Sequence, residues 1–111
     1  MFTVFVLLSL ICFSGCSKKS ELKKITFALD WTPNTNHTGV YVADSKGFFK
    51  DEGLKVEIVQ PSEDGASIMV ATGRAQFGVG FQDSIAPLLC KNEELPIIAV
   101  ASLLQHNTSG L

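Results

Sequence analysis

The sequence is short of several things that would assign it a chemistry. It has two histidines, His37 and His106, and three cysteines, Cys12, Cys16 and Cys90. The histidines stand far apart, with no i, i+4 spacing and no third partner, and no C-x-x-C pair is present. A metal centre is therefore not expected. There is no Walker A loop, so the chain is not an ATPase subunit, and no G-x-S-x-G elbow of the hydrolytic kind. Charge of one sign is lacking too: nine Lys and Arg against eleven Asp and Glu leave a formal net charge of −2. No basic excess points to nucleic acid or to an anionic membrane. Internal repeats and low-complexity tracts are also missing. What remains is 111 residues, 46% hydrophobic and 18% charged. That is enough for one small domain with a modest core, and too apolar for a disordered chain.

The first apolar run, Phe2 to Gly15, contains no charged side chain. It falls short of the roughly 20 residues that a bilayer span needs. It ends at Phe13-Ser14-Gly15-Cys16, followed by Ser17-Lys18-Lys19. Small residues at the end of such a run mark a signal peptide. The Ser-Gly-Cys stretch resembles a bacterial lipobox, with Phe13 where Leu is usual. The resemblance implies cleavage before Cys16 and lipidation of that cysteine. Residues 1–15 then form the signal peptide. Residues 16–24, rich in Lys, Ser and Glu, form a polar tether, and residues 25–111 form the folded part. The chain is expected outside the cytoplasm, anchored to the membrane by lipid. Cys90, alone in the mature chain, is expected as a small buried hydrophobe.

From Lys24 onward the pattern alternates. Ile25 to Leu29 reads as a short buried strand, closed by the turn signal Asp30-Trp31-Thr32-Pro33-Asn34. His37 to Lys50 reads as a helix broken near Gly47, with Tyr41, Val42, Phe48 and Phe49 on one side. Leu54 to Val59 alternates as a strand does. Asp64 is an N-cap candidate for a helix through Ala66, Ile68, Met69 and Val70 that stops at Gly73. Ala75 to Gly80 reads as a third strand. Asp83 is expected to cap a helix over Ser84 to Lys91, which puts Pro87 in its first turn. Pro96 to Leu104, nearly all apolar, reads as a fourth strand buried on both faces. Strand and helix in strict alternation predict an α/β fold with a mostly parallel sheet and flanking helices.

Open α/β sheets bind ligands at the carboxyl ends of their strands. The segments that follow the four expected strands are rich in Asn, Gln, His, Ser and Thr, whereas the opposite turns are Lys, Glu and Gly. The polar edge therefore reads as a pocket rim. Trp31 offers a face for stacking, or else fills the core. Asn34, Asn36, Gln82 and Asn107 offer paired donors and acceptors, as the edge of a flat heterocycle requires, or else Asn34 and Asn36 form turns. His37 either faces the same rim or caps or packs locally, and His106 with Asn107 either faces it or forms a polar turn.

These stretches resemble one family. Lys24 to Gly39, Gly47-Phe48-Phe49-Lys50-Asp51-Glu52-Gly53-Leu54, Glu63-Asp64-Gly65, Gly78 to Asp83 and Gln105 to Gly110 are similar to the solute-binding proteins of ABC importers for thiamine pyrimidine precursors. The glycine–phenylalanine turn belongs to the wider superfamily. The Asp-Trp-Thr-Pro-Asn and Gln-His-Asn-Thr-Ser stretches are more specific. The resemblance implies a type II periplasmic-binding-protein fold of two lobes that close by hinge motion. By the same resemblance, residues 25–111 are expected to represent the N-terminal lobe only, without the second lobe. It further implies an aminopyrimidine ligand, such as a formylated or hydroxymethylated one, and delivery to a permease and ATPase pair. Trp31 would stack on the ligand, and Asn34, His37, Gln82, His106 and Asn107 would line the pocket. No cofactor is implied for this branch.

Two other functions fit the same fold. One is binding of riboflavin, taurine or another alkanesulfonate, for which Ser62 and Ser84 would offer hydroxyls. The other is an enzyme that makes the pyrimidine phosphate. That branch carries a Lys and a His around the loop after the third strand, and Gly78 to Asp83 has neither.

Overall fold

The computed structural model describes residues 21–90 and 95–103. The expected signal peptide, Cys16, His106 and Asn107 lie outside these residues. Strand β1 spans Lys23–Ala28, β2 spans Leu54–Val59 and β3 spans Phe77–Gly78. They form one sheet in the order β2-β1-β3. Both pairings are parallel, with Ile25 beside Val56 and Phe27 beside both Ile58 and Phe77. Helices α1 (Thr38–Ser45) and α2 (Phe48–Asp51) cross from β1 to β2. Helix α3 (Ala66–Ala71) crosses from β2 to β3, and α4 (Gln82–Leu89) follows β3. The fold is α/β with a small parallel sheet and flanking helices, as the alternation predicts.

The reasons are local. β1 and β2 carry Ile, Val, Phe and Leu at the spacing of a pleated strand, and β-branched side chains suit that backbone. Pairing starts at Lys23, whose neighbour is Leu54, two residues before the strand that the alternation predicts. Gly47 sits at φ 77° between α1 and α2, a left-handed conformation that breaks the helix where the sequence marks it. β3 is regular over two residues only, but its neighbours extend the ladder. The Gln76 amide donates to Thr26 O at 3.0 Å, and the Val79 amide donates to Ala28 O at 2.9 Å. The Gln76 side chain takes a further strand position, its Oε1 accepting the Thr26 amide at 2.8 Å.

The core lies where α3 meets the sheet. Ala28, Ala66 and Ala75 are buried together, with Val59, Met69 and Val70 against them. Gly78 lets this helix approach. A Cβ there would stand 3.2 Å from both Ala66 Cβ and Val70 Cγ2.

Four expectations need correction. Residues 95–103 form no strand, and Ile98 and Val100 are 84% and 68% exposed rather than buried. An apolar run becomes a strand only where another backbone edge takes its N–H and C=O groups. Among the described residues no strand pairs with this segment. Asp64 does not cap α3. The N-cap is Gly65, and Asp64 instead faces Arg74 at 3.5 Å on the surface. Asp83 does not cap α4, because the Ser84 and Ile85 amides both reach Phe81 O and the helix starts before the aspartate. Pro87 consequently falls in the second turn. Cys90 is exposed, because the helix ends there and nothing described covers it.

Candidate functional site

Parallel strands put all their carboxyl ends on one edge, and three polar loops gather there. The loop after β1 is the most structured. It leaves the sheet at Leu29, which is fully buried and whose amide donates to Val59 O at 2.9 Å. Asn34 then takes an extended backbone and caps a single 3₁₀ turn, Thr35–His37. Its Oδ1 accepts the Asn36 amide at 2.9 Å, and its Nδ2 donates to Thr32 O at 3.0 Å. The Thr38 hydroxyl closes the turn onto Thr35 O at 2.7 Å.

The turn brings His37 back beneath Asp30. The histidine is buried at 2% exposure, and the Asp30 side chain at 13%. Nε2 of the ring lies 2.5 Å from Asp30 Oδ1. On the other side Nδ1 accepts the Asn34 amide at 3.2 Å, which completes a capping box with Asn34. A ring whose Nδ1 accepts must carry its proton on Nε2, so this geometry assigns the tautomer. Asp30, read from the sequence only as a turn former, is thus the partner of His37. The signal was present as an aspartate and a histidine either side of the Thr-Pro-Asn turn, but the segment between them is a turn and not a helix, so their spacing alone does not pair them.

Trp31 follows Asp30 directly and is 69% exposed. It therefore does not fill the core. Its indole stands at the rim, open to anything that occupies the edge. Gln82 reaches the same edge from the β3 side as the first residue of α4, and it is exposed. From the β2 side comes Ser62, whose Oγ is buried without a hydrogen-bond partner among the described residues. The structure thus joins Asp30, Asn34 and His37 by hydrogen bonds, and topology sets Trp31, Ser62 and Gln82 on their edge. Gly80 lets the third loop pass close to α4, since a Cβ there would meet Ile85 Cδ1 at 2.8 Å.

A groove of about 390 Å³ lies elsewhere, between α3, β3, α4 and residues 96–100. Val70, Phe77, Ile85, Leu89 and Ile98 make it apolar. It has few groups to orient a polar ligand, and Trp31, Asn34 and His37 do not line it. Among the described residues no cluster of three or more His, Cys, Asp or Glu could hold a metal. None of their helices is long and apolar enough to cross a membrane. The polar edge can present one aromatic face and several neutral donors and acceptors, a chemistry suited to a small flat heterocycle.

Residues 34–111 match the family described as NMT1/THI5 like. The chain belongs to that family. This NMT1/THI5-like chain is 32% identical over 108 residues to a formylaminopyrimidine-binding protein of Halalkalibacterium halodurans. That match covers 92% of the chain and 32% of the relative. It is 35% identical over 88 residues to a 4-amino-5-hydroxymethyl-2-methylpyrimidine phosphate synthase of Aspergillus parasiticus, covering 79% of the chain and 25% of the relative. A putative thiamine biosynthesis protein of Haemophilus influenzae is 32% identical over 85 residues, or 76% of the chain and 26% of the relative. The NMT1/THI5-like chain thus spans between a quarter and a third of the length of these relatives.

Proposed function

We propose that the chain is the N-terminal lobe of an exported, lipid-anchored solute-binding protein. It captures a thiamine pyrimidine precursor for an ABC importer. The observation that carries the reading is the exposed Trp31, held at the carboxyl edge of a parallel sheet beside the capped Asn34 turn. An indole face in that position stacks on an aminopyrimidine ring, while Asn34 and Gln82 supply donors and acceptors at its edge. His106 and Asn107 add further polar contacts in this reading. Cys16 carries the lipid, and a permease and an ATPase receive the ligand. The binding-protein relative supports the choice. Its match covers 92% of the chain, against 79% for the Aspergillus synthase, and so takes in part of the apolar leader.

A second reading, synthesis of the pyrimidine phosphate, is favoured by the synthases among the relatives. Against it stands the loop after β3. Residues 78–83 are Gly-Val-Gly-Phe-Gln-Asp, without the Lys and His that the synthase branch carries there. The two readings part in one experiment. A chain of the relatives' length that carries this lobe is titrated with formylaminopyrimidine and hydroxymethylpyrimidine, then with riboflavin and taurine. Saturable binding of a pyrimidine, with no pyrimidine phosphate formed when pyridoxal phosphate is added, supports capture. Turnover to the phosphate supports the synthase, and heat only with riboflavin or taurine removes both.

A further inference from the structure

We infer that His37 is a positioning residue. With Asp30 it latches the turn that follows β1 and sets the place of Trp31 and Asn34 at the rim, without touching ligand itself. The sequence suggests His37 as a pocket contact, but its surroundings assign it another task. The ring is buried and both its nitrogens are engaged, Nε2 by Asp30 Oδ1 and Nδ1 by the Asn34 amide. A ligand reaches either nitrogen only by displacing one of these partners.

The partners lie at the two ends of the segment that matters. Asp30 immediately precedes Trp31, and Asn34 opens the capped turn, so Trp31, Thr32 and Pro33 are strung between two points tied to one ring. Neutral imidazole suits this task because one nitrogen accepts while the other donates, in fixed directions. Tying residues 30 and 34 together reduces the conformations open to the residues between them, which lowers the ordering cost when a ring is captured. Three hydrogen bonds of the Asn34 side chain and of Thr38 stiffen the same turn.

The value of the latch for capture rests on the pyrimidine reading above, while the latch itself is tested without ligand. The first measurement uses the unaltered 111-residue protein with ¹⁵N-labelled histidine, the His37 signal being assigned by His106→Ala. A single tautomer is expected, with the proton on Nε2 and Nδ1 bare. Averaging between tautomers, or a proton on Nδ1, overturns the latch. The second measurement follows exchange of the Asn34 amide in two variants. In His37→Asn the side-chain oxygen replaces Nδ1 as the acceptor, and the amide keeps its protection. In His37→Gln the side chain reaches Asp30 but leaves the Asn34 amide free, so exchange speeds up by roughly tenfold or more, as for a locally opened bond. Equal exchange in all three proteins overturns the proposal. If these results hold while no pyrimidine binds, the latch stands and the ligand reading falls.

Discussion

Trp31 is the side chain on which the ligand reading turns. Its indole is largely exposed, and the bonds that order its loop come from Asp30, Asn34 and His37 rather than from the indole. Removing it should therefore alter binding and leave folding nearly intact. Trp31→Ala is expected to weaken pyrimidine binding by about 1–3 kcal/mol, as for loss of a stacked base on an aromatic side chain. The melting temperature should barely move. Calorimetry and thermal denaturation on the same sample check both halves, and a large fall in stability with unchanged affinity would make the residue structural. At this scale the sequence was only partly legible. The polar rim showed as a run of Asn, Thr and His, but the pairing of Asp30 with His37 did not, because it depends on a turn of one particular shape. Ser62 likewise gave no sign that its hydroxyl is buried and unpartnered.

Elements were read best where the pattern was complete within the segment. β1 carries a short apolar run bounded by a turn signal, β2 alternates apolar and polar residues over Leu54 to Ile58, and α1 and α2 break at Gly47 where the backbone needs a left-handed residue. Caps were read worse. Asp64 and Asp83 are good cap residues, yet Gly65 and Phe81 hold the cap positions, and α4 starts early because the Ser84 and Ile85 amides reach Phe81 O. Helix α3 (Ala66–Ala71) packs on β3. That packing predicts a sensitive glycine. A Cβ at Gly78 stands 3.2 Å from Ala66 Cβ, an atom fixed to its backbone, so α3 itself must shift to admit it. Gly78→Ala is expected to cost about 1–3 kcal/mol, the usual range for overpacking a close-packed contact. Denaturant titration measures it, and a neutral result would mean that α3 is not seated on β3.

For the whole molecule, the segment 95–103 is the informative failure. Its composition is that of a buried strand, and it is exposed here. Sequence pattern states what a segment requires, and only the rest of the fold decides whether the requirement is met. The apolar groove formed by Phe77, Ile85, Leu89 and Ile98 belongs to the same face. Exposed apolar surface of this kind binds hydrophobic dyes. The 111-residue chain is accordingly expected to enhance 8-anilinonaphthalene-1-sulfonate fluorescence under native conditions, and a silent dye would show that this face is covered.

The proposed capture of a flat heterocycle rests on the exposed indole of Trp31 at the carboxyl edge of the sheet. Titration of formylaminopyrimidine into a chain of the relatives' length that carries this lobe, followed by the fluorescence of Trp31 and by calorimetry, tests it most directly. Saturable binding is expected, with Trp31 emission altered in step with the heat, and loss of both in Trp31→Ala. Absence of pyrimidine binding, or binding that leaves Trp31 emission unchanged, would contradict it.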